Sequence, residues 1–353
     1  MKAAIYEGPH DLKVKEVDKP ICTDETMVVR VKACAICGTD LKTLKDQDVK
    51  INKKGQKHMH YPRIPGHEFS GIVEEIGSGV RGYQVGDRVT VSPSVPCGEC
   101  HYCRRGNYEM CDELKAISYD YDGAFAEYIL VPPLAIKNRC VNIVPEDVSL
   151  EEAALTEPLS CAVNCHELSG TKLGDRVLII GAGPLGCLCV ELAKFLGASK
   201  VMLAELSSSR LKLAQRAKSD VYINVKEEDI VESVLRETNR RGANIIIVAA
   251  PSSLAQKQSL KMIAKKGTIN FFAGLPRSNS VIGLDSNIVH YRELKIVGTH
   301  GSSPLHNEIA LNLISEGKTD VKKYITHTLP LEDILKGMEI AAKGIGLKVI
   351  ITP

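Results

Sequence analysis

Four cysteines, Cys97, Cys100, Cys103 and Cys111, stand in the run PCGECHYCRRGNYEMC with two, two and seven residues between them. Thiolates at such spacings gather round one tetrahedral cation. Zinc held by four sulfurs at about 2.3 Å keeps no open position for chemistry, so such a site pins a loop. Gly98 frees the turn between the first two ligands. A chain of 353 residues rarely needs a staple to complete its core. The knot therefore predicts a long lobe, about residues 93–115, fastened onto a larger body.

That body is long enough for two domains with separate cores. Its 44% hydrophobic and 25% charged residues are those of a soluble globular protein, and a net charge of +2 gives no basic footprint for nucleic acid or an anionic membrane. The segment Met1–Tyr6 begins at once with strand-like alternation, without an apolar targeting stretch. Together with twelve cysteines this predicts a reducing compartment, the cytoplasm. The longest apolar region, Val177 to Ala193, is broken by Gly181, Gly183, Pro184 and Gly186, so no segment is expected to span a bilayer.

Up to about residue 150 the chain carries short β-type runs, among them Met27–Val31, Gly71–Ile76 and Asp87–Val91, separated by glycines and prolines. Such a pattern predicts a compact, barrel-like β domain. From Leu150 onward helical stretches alternate with apolar strands at Val177–Ile180, Val201–Ala204, Ile245–Ala249, Thr268–Phe272 and Leu294–Val297, the signature of a parallel sheet wrapped by helices. After about Gly298 the pattern is mixed again and ends in the strand Leu347–Ile351, expected to complete the first domain. The expected division is 1–155 with 296–353 for one domain and 156–295 for an inserted α/β domain.

Within the α/β part, Arg176–Ile180 runs into Gly181-Ala182-Gly183-Pro184-Leu185-Gly186, a GxGxxG motif between an apolar strand and a helical run. Gly181 makes the tight turn, Gly183 lets the backbone approach a pyrophosphate, and Gly186 lets helix and strand pack closely. The helix start then offers free N–H groups to the phosphates. Glu205 ends the second strand, 19 residues beyond Gly186, where a carboxylate accepts from ribose hydroxyls and repels a 2′-phosphate. NAD is therefore expected over NADP. Ser207–Arg210 is equally able to shelter a phosphate or, through Arg210, to pack beside the adenine.

Cys37-Gly38-Thr39-Asp40 and Gly66-His67-Glu68 offer a thiolate, an imidazole and a carboxylate, and Glu157 in Leu155-Thr156-Glu157-Pro158-Leu159 adds another carboxylate near the expected domain boundary. A catalytic zinc wants three protein ligands and one open position. Each motif alone reads equally well as a buried thiol, a loop dipeptide or a charge at a helix start.

Taken in order, the motifs CGTD, GHE, the four-cysteine lobe, EPL, GxGxxG and a final strand resemble those of the zinc-containing medium-chain dehydrogenases/reductases, and the likeness covers nearly the whole chain. The resemblance implies a GroES-like β-barrel catalytic domain with an inserted Rossmann domain of doubly wound parallel sheet. It further implies NAD, one catalytic and one structural zinc per chain, a dimer or tetramer, and Cys37 and His67 as ligands of the catalytic zinc. Glu68 and Glu157 compete for the third ligand place. Glutamate in the EPL segment makes the chain similar to the polyol and threonine branches. The implied activity is hydride transfer from a secondary alcohol, a sugar alcohol or its phosphate first and L-threonine second, with Thr39 relaying the hydroxyl proton. Lys42 stands where many relatives carry a histidine, so Lys42, ribose hydroxyls or water must finish the proton path.

The basic run Lys50–His60 would favour a phosphorylated or acidic substrate if it lined the cleft, and is otherwise a solvated loop. By resemblance Tyr119 and Tyr121 are candidate pocket residues; His290, Arg292 and His300 stay ambiguous, with Arg292 able to bind a phosphate or pair with Glu293. A zinc-ribbon binding module would leave GxGxxG and the CGTD and GHE motifs unexplained. A zinc-free quinone reductase would lack both metal motifs.

Overall fold

The computed structural model describes residues 1–45 and 61–353 and divides into two units, Met1–Ser160 with Gly301–Pro353, and Cys161–His300. The first unit holds β1 (Lys2–Gly8), β2 (Asp11–Glu16), β3 (Met27–Ala35), β4 (Glu68–Ile76), β5 (Arg88–Val91), β6 (Ser94–Val95), β7 (Lys115–Ala116), β8 (Tyr128–Val131) and β9 (Val141–Ile143). The second holds β10 (Arg176–Ile180), β11 (Lys200–Glu205), β12 (Val221–Asn224), β13 (Ala243–Val248), β14 (Ile263–Phe271) and β15 (Lys295–Gly298). The chain then returns to the first unit with β16 (Ile325–Pro330) and β17 (Lys348–Thr352).

In the second unit six strands pair in parallel in the order β12-β11-β10-β13-β14-β15. This is the doubly wound 3-2-1-4-5-6 order, which makes its crevice where the order reverses, beside β10. Val177 to Ile180 are all buried because helices cover both sheet faces, which is why the strand reads as an unbroken apolar run. The sequence reading passes over β12. Its four residues, Val-Tyr-Ile-Asn, form a half-buried edge with no apolar run to announce it. The boundary expected at residue 296 falls later, because Lys295–Gly298 pairs with β14 and so belongs to this sheet; the first boundary falls after Ser160 rather than after residue 155.

The sheet of the first unit runs β16-β17-β3-β4-β5-β9, with β8 also paired to β3. Met27, Val29, Phe69, Phe125, Ile129 and Ile351 fill its core. Each such side chain, fully buried, contributes about 1.5–3 kcal/mol of transfer free energy. Two pairings matter for the site. Ala35 stands opposite Glu68 at the β3–β4 ladder, and β17 joins β3 with Ile351 opposite Cys34 and Ile350 opposite Ala35.

Candidate metal centre and dinucleotide site

These registers bring three strand ends together. Cys37 follows the end of β3, His67 and Glu68 lead into β4, and Lys348 opens β17, whose Val349 carbonyl accepts from Ile36 N at 2.9 Å. Cys37 caps the helix Gly38–Leu44: its Sγ accepts from Thr39 N at 3.5 Å, while Asp40 Oδ2 accepts from Cys37 N at 2.9 Å. Thr39 Oγ1 lies 3.6 Å from the same sulfur.

Ligand atoms of Cys37, His67 and Glu68 all lie within 4.8 Å of one another. His67 Nδ1 is buried 3.5 Å from Asp40 Oδ1, outside good hydrogen-bond geometry. Burial pushes His67 down, but the charges of Asp40 and Cys37 outweigh it and hold the imidazole well above its ordinary value. A field that draws a proton onto a buried ring draws a dication as well. The donor set of one sulfur, one nitrogen and carboxylate oxygen therefore fits zinc. Glu157, half-buried at the start of the helix Thr156–Ser169, is outside this group of three, although its charge acts on Lys348.

The four-cysteine group is also assembled. Cys97 Sγ lies 3.9 Å from Cys103 Sγ, and Cys100 Sγ 3.9 Å from Cys111 Sγ. A tetrahedron with zinc–sulfur bonds of about 2.3 Å has edges of about 3.8 Å, so the sulfurs already stand at zinc spacing. Backbone N–H groups of Cys103 and Asp112 hold the Cys100 thiol down to about 6. Asn138 Nδ2 donates to Pro96 O at 2.7 Å and tethers the lobe to the helix Pro133–Lys137.

In the second unit the three glycines have three separate reasons. Gly181 takes φ +112°; a Cβ on Gly186 would lie 1.9 Å from Gly181 O; a Cβ on Gly183 would meet nothing within 4 Å. That open space adjoins the uncapped start of the helix Pro184–Phe195, as a bound pyrophosphate requires. Glu205 differs from the expectation in its partners. Oε2 accepts from Ala182 N at 2.8 Å, and Oε1 from Leu206 N at 2.8 Å and Ser207 N at 2.9 Å. Three of its roughly four acceptor sites are thus taken by backbone, and it fastens the glycine loop. Arg210 lies in the short helix Ser208–Leu213 that follows.

Tyr119 and Tyr121 part company. Tyr119 is buried against the metal cluster: burial pushes its hydroxyl up to about 12, the charge of His67 opposes that, and Thr43 shares a hydrogen bond with it. Tyr121 instead lines a surface cavity with Ile5, Arg63 and Asp122. Arg292 donates to Ile263 O at 3.4 Å, at the amino end of β14 and so away from the carboxyl ends where dinucleotides bind, and Glu293 pairs with Lys266. His290 and His300 are exposed. The basic run Lys50–His60 lies outside the described residues. Sequence reasoning missed Asp40 and Lys348 as parts of the site. A lysine heading the apolar strand Lys-Val-Ile-Ile was a usable signal, since a buried ammonium requires a buried partner.

The Alcohol dehydrogenase GroES-like domain family matches residues 23–143, and the Zinc-binding dehydrogenase family matches residues 184–316. The chain is 35% identical to L-threonine 3-dehydrogenase of Caldanaerobacter subterraneus, over 97% of this chain and 95% of that one. It is 30% identical to D-arabitol-phosphate dehydrogenase of Enterococcus avium, over 95% and 92%. A Sinorhizobium meliloti protein described as a zinc-binding dehydrogenase and solved with NADP superposes with a TM-score of 0.91 at 29% identity, covering 100% of this chain and 99% of that one. Fold, motifs and relatives define an oxidoreductase that acts on CH–OH donors with zinc and NAD(P). The chain belongs to the zinc-containing medium-chain dehydrogenase/reductase family, in its polyol and threonine branch. Its GroES-like and Rossmann domains are those the sequence predicts. Among the described residues no helix is long and apolar enough to cross a membrane.

Proposed function

We propose that the protein is a zinc- and NAD-dependent dehydrogenase that oxidises a secondary alcohol, a sugar alcohol or sugar-alcohol phosphate, to the corresponding ketose. The observation that carries this reading is the donor set of half-buried Cys37 with buried His67 and Glu68, beside Thr39. Zinc held there by Cys37, His67 and a carboxylate supplies Lewis acidity, which in a comparable site is worth about nine pKa units, or ~12 kcal/mol, on an oxygen acid. NAD supplies the hydride acceptor at its nicotinamide.

The chain's own residues do the rest. Thr39 Oγ1 accepts the hydroxyl proton of the substrate and donates its own onward. Lys42, one turn along the same helix, is exposed, so the path ends in bulk water. Tyr119 closes the buried side of the cluster with a hydroxyl that stays protonated at neutral pH. Gly183 and the helix start receive the pyrophosphate, and the Glu205 charge disfavours a 2′-phosphate, which supports NAD over NADP. Arg210 lies beside the adenine.

Two measurements test the reading. A panel of polyols, polyol phosphates and L-threonine, assayed with NAD and NADP, should show highest kcat/KM for a polyol or its phosphate with NAD. Highest kcat/KM for L-threonine would replace the substrate with the one named for the Caldanaerobacter relative. Removal of the more labile metal by a chelator should abolish turnover, and full activity without it would sink the zinc mechanism. The same reading extends to a cytoplasmic homodimer or homotetramer, which light scattering decides.

A further inference from the structure

Among the described residues Lys348 is the one ammonium group buried at the candidate metal centre. Its side chain is 4% exposed and that of Glu68 1%, and Nζ donates to Glu68 Oε2, with Ile36 O 3.5 Å away. Taking an ammonium out of water costs several kcal/mol unless its partner is well placed. Here the placement comes from three strands at once, since β17, β3 and β4 bring Lys348, Cys37 and Glu68 to one end of the sheet. The charges of Cys37 and Glu157 act on Lys348 in addition to that of Glu68. Among the described residues, Lys348 sets a buried ammonium against the acidic side chains Glu68 and Glu157 and the Cys37 sulfur.

Building on the proposed zinc site, we infer that Lys348 is a positioning residue of the metal centre: by occupying Glu68 Oε2 it fixes that carboxylate, leaves only Oε1 open to the cation, and offsets the surplus negative charge of the donor set. Glu68 is thereby a one-oxygen ligand.

The test uses the full chain loaded with cobalt(II) as a spectroscopic probe in place of zinc. Lys348→Met should shift the visible absorption of the Cys37 and His67 site and weaken its metal affinity about 10–100-fold, the usual effect of losing a group that orients a ligand. The four-cysteine site should keep its metal, and Lys348→Arg should recover affinity to within about fivefold. In a Glu68→Gln background, Lys348→Met should cost less than about threefold, because the two side chains act as one unit. Should Lys348→Met alone fail to fold, the comparison of Glu68→Gln with the double variant carries the test, since the double variant leaves no unpaired buried charge. An unshifted spectrum with unchanged affinity in Lys348→Met, an arginine variant as damaged as the methionine one, or a tenfold loss in the Glu68→Gln background would each overturn the inference. Wild-type protein that takes up only one metal per chain would instead overturn the proposed catalytic site, and this inference with it.

Discussion

Gly66 shows how much one residue decides. At φ +99° it turns the chain so that His67 and Glu68 face Cys37, and a Cβ there would lie 2.9 Å from Cys34 Sγ and from Phe125 N and Cδ2. Gly66→Ala therefore adds a strained backbone conformation to an overfilled corner. It should destabilise the fold by on the order of 3 kcal/mol in urea titration and loosen the metal of the catalytic site first. His166 makes a different point. Its Nε2 lies 2.9 Å from Cys189 O, which can only accept, so Nε2 carries the proton and Nδ1 accepts from Thr171 Oγ1 at 2.9 Å. Burial pushes this ring down to about 4. The unfolded chain, with histidine near 6.5, then binds more protons than the fold between those values, so stability is complete above about pH 6.5 and falls as pH drops toward 4. The loss reaches on the order of 3 kcal/mol, and His166→Gln should flatten that part of the pH–stability curve.

The four-cysteine lobe offers a cation four sulfurs, which leaves no open position for chemistry. Cys100→Ser should remove one zinc per chain and lower the melting temperature before it changes turnover per folded molecule. A stable variant that kept both zincs and lost activity would reverse that division of labour. The strand–loop–helix unit from β10 to the helix Pro184–Phe195 carries the second prediction at this scale. Glu205 binds Ala182 N within the glycine loop, so Glu205→Gln should weaken NAD binding and narrow the gap between NAD and NADP, read as the ratio of their Kd values. A ratio unchanged from wild type would mean that another group, Arg210 or the serines before it, sets the preference.

Across the whole molecule, local signals in the chain were enough for much of the fold. Apolar runs of four or five residues announced β10, β11, β13 and β14, because a strand buried on both faces has to be apolar throughout, and the run Leu294–Val297 announced the edge strand β15 although none of its residues is fully buried. The half-exposed edge β12 carries no such run and was silent. Cys97, Cys100, Cys103 and Cys111 were legible because their spacing is local, within one lobe. Lys348 was not, because it lies 280 residues from Glu68 along the chain and only the strand registers bring them together.

By itself, then, the sequence determined which chemistry was available: two sets of metal donors, a glycine loop shaped for a pyrophosphate, and an acid at the end of the second strand. Those are matters of residue type and short spacing, settled by local backbone geometry. Only the tertiary structure decided that Tyr119 joins the metal cluster while Tyr121 does not, that Glu205 also fastens the glycine loop, and that Glu68 arrives already paired with a buried lysine. The reason is physical: a buried charge is tolerable only beside its partner, and which partner it meets is fixed by the pairing of strands distant in the chain.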